Sequence, residues 1–132
     1  MQTTNIRFVN PSTLPTPPGY SQVAVIGGGE LIVIAGQVAL DPQGALVGAG
    51  DFEAQTTQVF RNLMMALEAV GAGPGSLVKL TTFVTDVSQL ASFRKVRDRF
   101  LDPAHPPAST LVQVARLFRP EFLIEVEALA VR

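Results

Sequence analysis

Few side chains in this sequence are of types that make or break bonds, and their spacing narrows them further. Glu125 and Glu127 stand two apart in an otherwise apolar run, so on a strand both project from one face. In a pocket, such a carboxylate can orient water or act as general acid and base. On a solvated face it only deters edge pairing, and spacing alone favours that second reading. Tyr20, the one tyrosine, follows Pro17-Pro18-Gly19. It fits a pocket wall with a polar tip, or ordinary packing with its hydroxyl at the surface, which is the simpler reading. His105, the one histidine, lies in a proline-rich connection without a visible partner and reads as a surface residue. Any site needing two histidines is excluded. Arg94, Lys95, Arg97 and Arg99 make a basic run, but it is short and lacks the interleaved aromatics of an RNA-binding stripe. It reads as a solvated helical face. Gly27-Gly28-Gly29 precedes no helix, so it is expected to be a hairpin turn and not a phosphate cradle. The absence of cysteine excludes a disulfide, a thiolate zinc site and a thiol nucleophile.

These residues must be positioned by elements with their own periodicities. Residues 10–19 carry four of the ten prolines and read as an extended loop. Val23–Ile26 and Leu31–Ala35 are β-rich runs flanking the three glycines, which predicts a hairpin. From Asp51 the period changes. Phe52, Val59, Phe60, Leu63, Leu67 and Val70 recur at helical spacing, with Asp51 as N-cap and Gly71 at the C-terminal end. Val78–Val84 reads as a strand with Val78, Leu80, Thr82 and Val84 on one face. Leu90, Phe93, Val96 and Phe100 mark a second helix that Pro103 stops, and Leu111–Ala115 and Phe122–Val131 are the last two strands. The predicted order is β-β-α-β-α-β-β, an α+β unit whose two helices lie on one face of a mixed sheet.

Composition sets the outer bounds. A chain of 132 residues is expected to form one domain spanning residues 1–132. With 47 % hydrophobic and 16 % charged residues it is not a disordered segment. A net charge of −1 gives no field that calls for nucleic acid or an anionic membrane. The start, Met1-Gln2-Thr3-Thr4-Asn5, lacks the basic and apolar regions of a secretory signal, and the longest apolar stretch, around Leu31–Leu40, is too short for a bilayer. A cytoplasmic protein is expected. The strands are apolar on both sides: Leu31, Val33 and Ala35 oppose Ile32 and Ile34, while Phe122, Ile124, Val126, Ala128 and Ala130 oppose Leu123, Leu129 and Val131. Two helices cover one face only, and the other would leave an apolar patch in water. A homo-oligomer burying that face is expected, with Ala130 read as one of the residues at the subunit interface.

Taken in order, the motifs resemble the RidA/YjgF family, the reactive-intermediate deaminases also labelled endoribonuclease L-PSP. The resemblance rests on Gly19-Tyr20-Ser21-Gln22, Ala35-Gly36-Gln37 and Val78-Lys79-Leu80-Thr81-Thr82-Phe83-Val84-Thr85-Asp86. Pro107-Ala108-Ser109-Thr110-Leu111-Val112, Val114-Ala115-Arg116-Leu117 and Ile124–Val131 complete it. It implies a chorismate-mutase-like subunit and a homotrimer whose sheets form a central barrel, with small-molecule pockets at the subunit interfaces. It implies no metal and no organic cofactor. It also implies that Glu125 holds the attacking water for hydrolytic deamination of an enamine or imine. Tyr20, Ala35, Gly36, Ser109, Thr110 and Leu111 would line the substrate site.

The sequence departs from that family at the clamp for the substrate carboxylate. Ser109 stands where the arginine is expected, Leu111 where a cysteine usually follows, and Ala35 where a serine precedes the glycine. A hydroxyl cannot form the bidentate, charge-assisted pair that an arginine makes with a carboxylate. Arg94, on the second helix, is a candidate to supply a displaced positive charge, against its reading as a solvated residue. Three functions compete: an imine or enamine deaminase, a non-catalytic metabolite-binding trimer, and the ribonuclease of the family's older label. The single histidine and negative net charge weigh against the last.

Overall fold

The computed structural model describes residues 5–132; the reading of residues 1–4 as free of a targeting signal lies outside them. Strands β1 (Ile6–Val9), β2 (Val23–Ile26) and β3 (Leu31–Gln37) come first, then helix α1 (Phe52–Ala69) and strand β4 (Leu77–Val84). Helix α2 (Leu90–Phe100) and strands β5 (Ala108–Gln113) and β6 (Ile124–Val131) follow, with single 3-10 turns before β4 and before α2. The α+β class and the two helices agree with the periodicities. The strand count does not, because β1 is only four residues long and its single Ile6-Arg7-Phe8 alternation is too short to mark a strand.

The expected hairpin between Val23–Ile26 and Leu31–Ala35 does not form. β2 pairs antiparallel with β1, Ile6 opposite Ile26, in a separate two-stranded sheet. β3 joins the main sheet, whose order is β3-β6-β4-β5. The glycine run passes between the two sheets: Gly27 N–H donates to the Asn5 carbonyl, and Glu30 N–H to the Arg132 carbonyl. β6 offers β3 a longer apolar partner than β2 can, with Leu31 opposite Val131 and Val33 opposite Leu129. β4 and β5 run parallel, and α2 is the crossover between them.

Helix α1 begins where the sequence places it, with the Asp51 carboxylate accepting from Ala54 N–H at 3.0 Å. Asp51→Ala removes that cap and is expected to lower the unfolding free energy by about 1 kcal/mol in chemical denaturation. One face of α1 buries Val59, Phe60, Leu63 and Leu67 against the sheet. Phe60 meets Phe93 and Phe100 of α2 at centroid distances of 5.9 and 5.6 Å. Beneath them lie Ile34, Leu80, Val84, Ile124, Val126, Ala128 and Ala130. Ala130 is therefore in the helix-covered core and not on an exposed face. β6 carries its smallest side chains towards the helices, where the layers must approach closely, and turns Leu129 to the other side.

That other side is open. Leu31 and Val33 are 63 % and 71 % exposed, and Val112 and Leu129 are exposed beside Lys79, Thr81 and Phe83 of β4. The face carries apolar side chains that no segment of the described chain covers. No helix among the described residues is long and apolar enough to cross a membrane.

Candidate functional site

The residues singled out from the sequence gather in two places on opposite faces of the sheet. The first is on the open face, at an irregularity in the β3–β6 ladder. Ile34 pairs with Ala128 and Gln37 with Val126, so three steps on β3 match two on β6, and Ala35 and Gly36 have no register partner. This is a β-bulge. Opposite it, Glu125 pairs in register with Phe83 of β4. A Cβ added to Gly36 would fall on the Glu125 carboxylate. Glycine thus leaves the space that the Glu125 carboxylate occupies. Gly36→Ala is expected to displace the Glu125 carboxylate and to depress any activity that depends on it, which a crystal structure and an assay of the same variant check together.

Two side-chain amides, Gln55 fully buried and Asn62 half-buried, hold the bulge and its partner strand in place. Asn62 of α1 donates to the carbonyls of Val38 and Leu40, just after β3. Gln55 donates to the Glu121 carbonyl and accepts from Leu123 N–H, just before β6. Glu125 itself has no hydrogen-bond partner among the described residues. Burial, and secondarily repulsion from Glu127, push its carboxyl above the ordinary glutamate value. A carboxylate that is half-buried, unpaired and raised in this way is suited to bind and deprotonate water.

The second place is a cavity of about 300 Å³ between α2 and the edge of β5. Tyr20, Arg94, Ser109 and Leu111 line it, together with Pro18, Phe93 and Arg97. Residues so far apart in sequence meet because the proline loop is stitched to the start of β5. The Ser21 hydroxyl donates to the Pro106 carbonyl at 2.6 Å, Ser21 N–H donates to the Pro107 carbonyl at 3.0 Å, and Ser21 bridges Ala108 in parallel. Thr110 does not join this cavity. It alternates with Ser109 and Leu111, faces the open side, and accepts from Lys79 Nζ at 2.6 Å.

The basic run of α2 divides. Lys95 and Arg99 are solvated and pair with Glu53 of α1 at 3.2 Å each, lowering the Glu53 carboxyl below its ordinary value chiefly through the Lys95 contact. Arg97 departs from the expected solvated face: it is 7 % exposed and forms part of the cavity wall. The signal was present in the spacing, because position 97 lies four residues after Phe93 and next to Val96 on the buried stripe. His105 is exposed and pairs with Asp102 at 3.0 Å, lining neither the cavity nor the bulge.

Similarity to known proteins covers nearly the whole chain. The sequence model of the family described as Endoribonuclease L-PSP matches residues 12–132. A RutC family protein of Synechocystis is 35 % identical over 96 % of both chains. A protein of Salmonella typhimurium named 2-iminobutanoate/2-iminopropanoate deaminase is 36 % identical over 79 % of this chain and 81 % of its own. Among solved structures, a Rid-family protein of unknown function from Yersinia pestis superposes with a TM-score of 0.90 at 38 % identity, covering 98 % of this chain and all of that one. RidA from an Antarctic Psychrobacter gives 0.71 at 29 % identity over 98 % of this chain and all of its own. Motif order, fold and these similarities agree: the chain belongs to the Endoribonuclease L-PSP family, the Rid/YjgF proteins.

Proposed function

We propose that this protein hydrolyses small imines or enamines to carbonyl compounds and ammonia, with Glu125 as the group that handles water. The observation that carries this reading is the Glu125 carboxylate, unpaired and half-buried, with room for it kept by Gly36. Similarity to an iminobutanoate deaminase supports the reaction class. Glu125 takes a proton from water as the oxygen adds to the C=N carbon and passes it to the nitrogen, giving a carbinolamine. The same carboxylate then takes the remaining hydroxyl proton as the C=O bond forms and delivers it to the nitrogen as the C–N bond breaks and ammonia leaves, so that imine plus water gives carbonyl compound plus ammonia. The Gly36 backbone amide offers a donor to charge developing on the substrate.

One subunit does not bring Glu125 to the cavity behind β5, because the sheet separates them. The proposal therefore includes a homotrimer in which open faces pack together and a site forms at each interface between Glu125 and Gly36 of one subunit and the cavity of the next. The uncovered Leu31, Val33 and Leu129 support that packing. His105, the sole histidine, stands outside both places, which weighs against ribonuclease chemistry there.

The test uses imines generated in situ by an amino-acid oxidase, with ammonia release measured against spontaneous hydrolysis. Acceleration proportional to enzyme is expected. Saturable binding of the corresponding 2-oxo acid without acceleration would overturn the catalytic reading in favour of a metabolite-binding protein.

A further inference from the structure

The sulfur of this chain is confined to Met1, Met64 and Met65, because it has no cysteine. Met1 lies outside the described residues. Met64 is half-buried and packs against the core, whereas Met65 is 50 % exposed. Met65 also lines a cavity of about 440 Å³ between α1 and the end of β3, with Gly36, Gln37, Val38, Leu40 and Asn62 in the same wall. Gln58, Asn62 and Met65 are spaced four and three apart, so they share one stripe of α1. Along that stripe the amide hydrogens are in full use. Gln58 donates to Asn62 Oδ1 at 2.9 Å, and Asn62 Nδ2 gives one hydrogen to the Val38 carbonyl and the other to the Leu40 carbonyl. A new acceptor beside Asn62 is therefore served only by withdrawing a hydrogen from one of those carbonyls. Gly36 connects the two places: it lines this cavity, and the Glu125 carboxylate lies against it.

We propose that Met65 is a site of reversible sulfoxidation by hydrogen peroxide, and that its sulfoxide loosens the β3 bulge beside Glu125. A sulfur lone pair attacks one peroxide oxygen as the O–O bond breaks. The proton on the transferred oxygen passes to the departing hydroxide. Methionine plus hydrogen peroxide thus gives sulfoxide plus water, with sulfur oxidised by two electrons and the peroxide reduced by two. The thioether is a weak acceptor that leaves Asn62 to the two carbonyls, whereas the sulfoxide is polar and its oxygen accepts strongly. Three residues along the same stripe, that oxygen competes with Val38 and Leu40 for the Asn62 amide. A carbonyl released there frees the backbone that continues from the bulge. α1 lies across the sheet from the open face, so packing of open faces against one another does not cover Met65. The oxidant arises with the imine: oxidation of an amino acid to its imine by dioxygen yields one hydrogen peroxide for each imine. Only this last link rests on the deaminase reading; the sulfoxide and its effect on the bulge do not.

The test treats the intact wild-type protein with hydrogen peroxide and stops the reaction with catalase. Peptide mass mapping is expected to show one added oxygen at Met65, formed at least about 10-fold faster than at Met64 because exposure governs the rate. Amide hydrogen exchange at Gly36, Gln37, Val38 and Leu40 is expected to rise about 5–10-fold on oxidation, the loss of one neutral hydrogen bond. Methionine sulfoxide reductase should return it to the starting value. Met65→Leu keeps an apolar side chain at a half-exposed helical position, and peroxide is expected to leave its exchange unchanged. Met65→Gln brings an amide carbonyl to the same place and should raise exchange without peroxide. In the ammonia assay, run with catalase present, kcat/KM of the oxidised wild type is expected to fall about 5–10-fold while that of treated Met65→Leu holds. Oxidation of Met64 as fast as Met65, unchanged exchange in the oxidised wild type, or an equal response to peroxide in Met65→Leu would overturn the proposal. Faster exchange on Met65 oxidation in a protein that releases no ammonia sustains the Met65 site and sinks the deaminase reading. Ammonia release with kcat/KM unmoved by Met65 oxidation sinks this inference alone.

Discussion

Glu125→Gln is expected to lower the rate of imine hydrolysis by about 10²–10⁴-fold, the contribution of a positioned general base, while 2-oxobutanoate affinity changes far less. Glutamine preserves the volume beneath Gly36 but cannot accept the proton of the attacking water. The acid limb of kcat/KM then reports Glu125. The base works deprotonated, so activity falls as pH drops through its pKa, and burial places that limb above the ordinary carboxylate range. Glu127→Gln is the diagnostic companion: it removes the repulsion that contributes to the raised value, so its acid limb moves to lower pH with little loss of rate at neutrality. Stability has the opposite sign from the usual carboxylate. Folding raises this pKa, so the ionised form opposes folding above the folded-state pKa, and the penalty vanishes as pH falls below the unfolded value. Glu125→Gln should therefore melt no lower than wild type at pH 7. Full activity in Glu125→Gln would remove its catalytic role, and equal losses in the two variants would point to assembly instead.

The second large effect concerns the open face. Val33→Glu places a charge at a position 71 % exposed in the subunit, where it should hardly disturb the fold of an isolated chain. If three such faces pack together, it would instead bury unpaired carboxylates near a common axis. Light scattering coupled to size exclusion is expected to give three times 14.0 kDa for the wild type and the single-chain mass for Val33→Glu, with imine hydrolysis lost because each site needs two subunits. Ala130→Glu makes the contrast, since Ala130 is fully buried beneath the helices and its replacement should unfold the chain at any concentration. A wild-type protein that runs as a stable single chain would refute the shared site.

Much of this architecture was legible because it is local. The Asp51 cap, the apolar stripe of α1 and the end of α2 at Phe100 all follow from spacing within a few residues. Strand partners are not local. Nothing within Val23–Ala35 discloses that β2 will pair backwards with Ile6–Val9 while β3 crosses to the last strand. The face of Ala130 was misread because β6 is apolar on both sides, and bulk misleads: its small residues face the helices and Leu129 faces outwards. Glu125, Tyr20 and Ser109 could be named from their motifs, but their division between two faces depends on the β3 bulge and on the Ser21 stitch. Arg97 lies in a run of charges in which Lys95 and Arg99 are solvated and Arg94 is half-buried, and only its spacing from Phe93 sets it apart.

The sheet order has a consequence for synthesis of the protein. β6, at positions 124–131, lies between β3 and β4 and joins them. On the ribosome, which emits the chain from its N-terminus, β3 must wait for a partner that emerges some ninety residues later. Until then β4 can pair with β5 alone, and the apolar residues of β3 have no strand of the main sheet to join. A chain stopped before Ile124 lacks both the central strand and Glu125. Incomplete translation therefore yields no partly active product: the same eight residues that close the sheet also bring in the residue proposed to activate water.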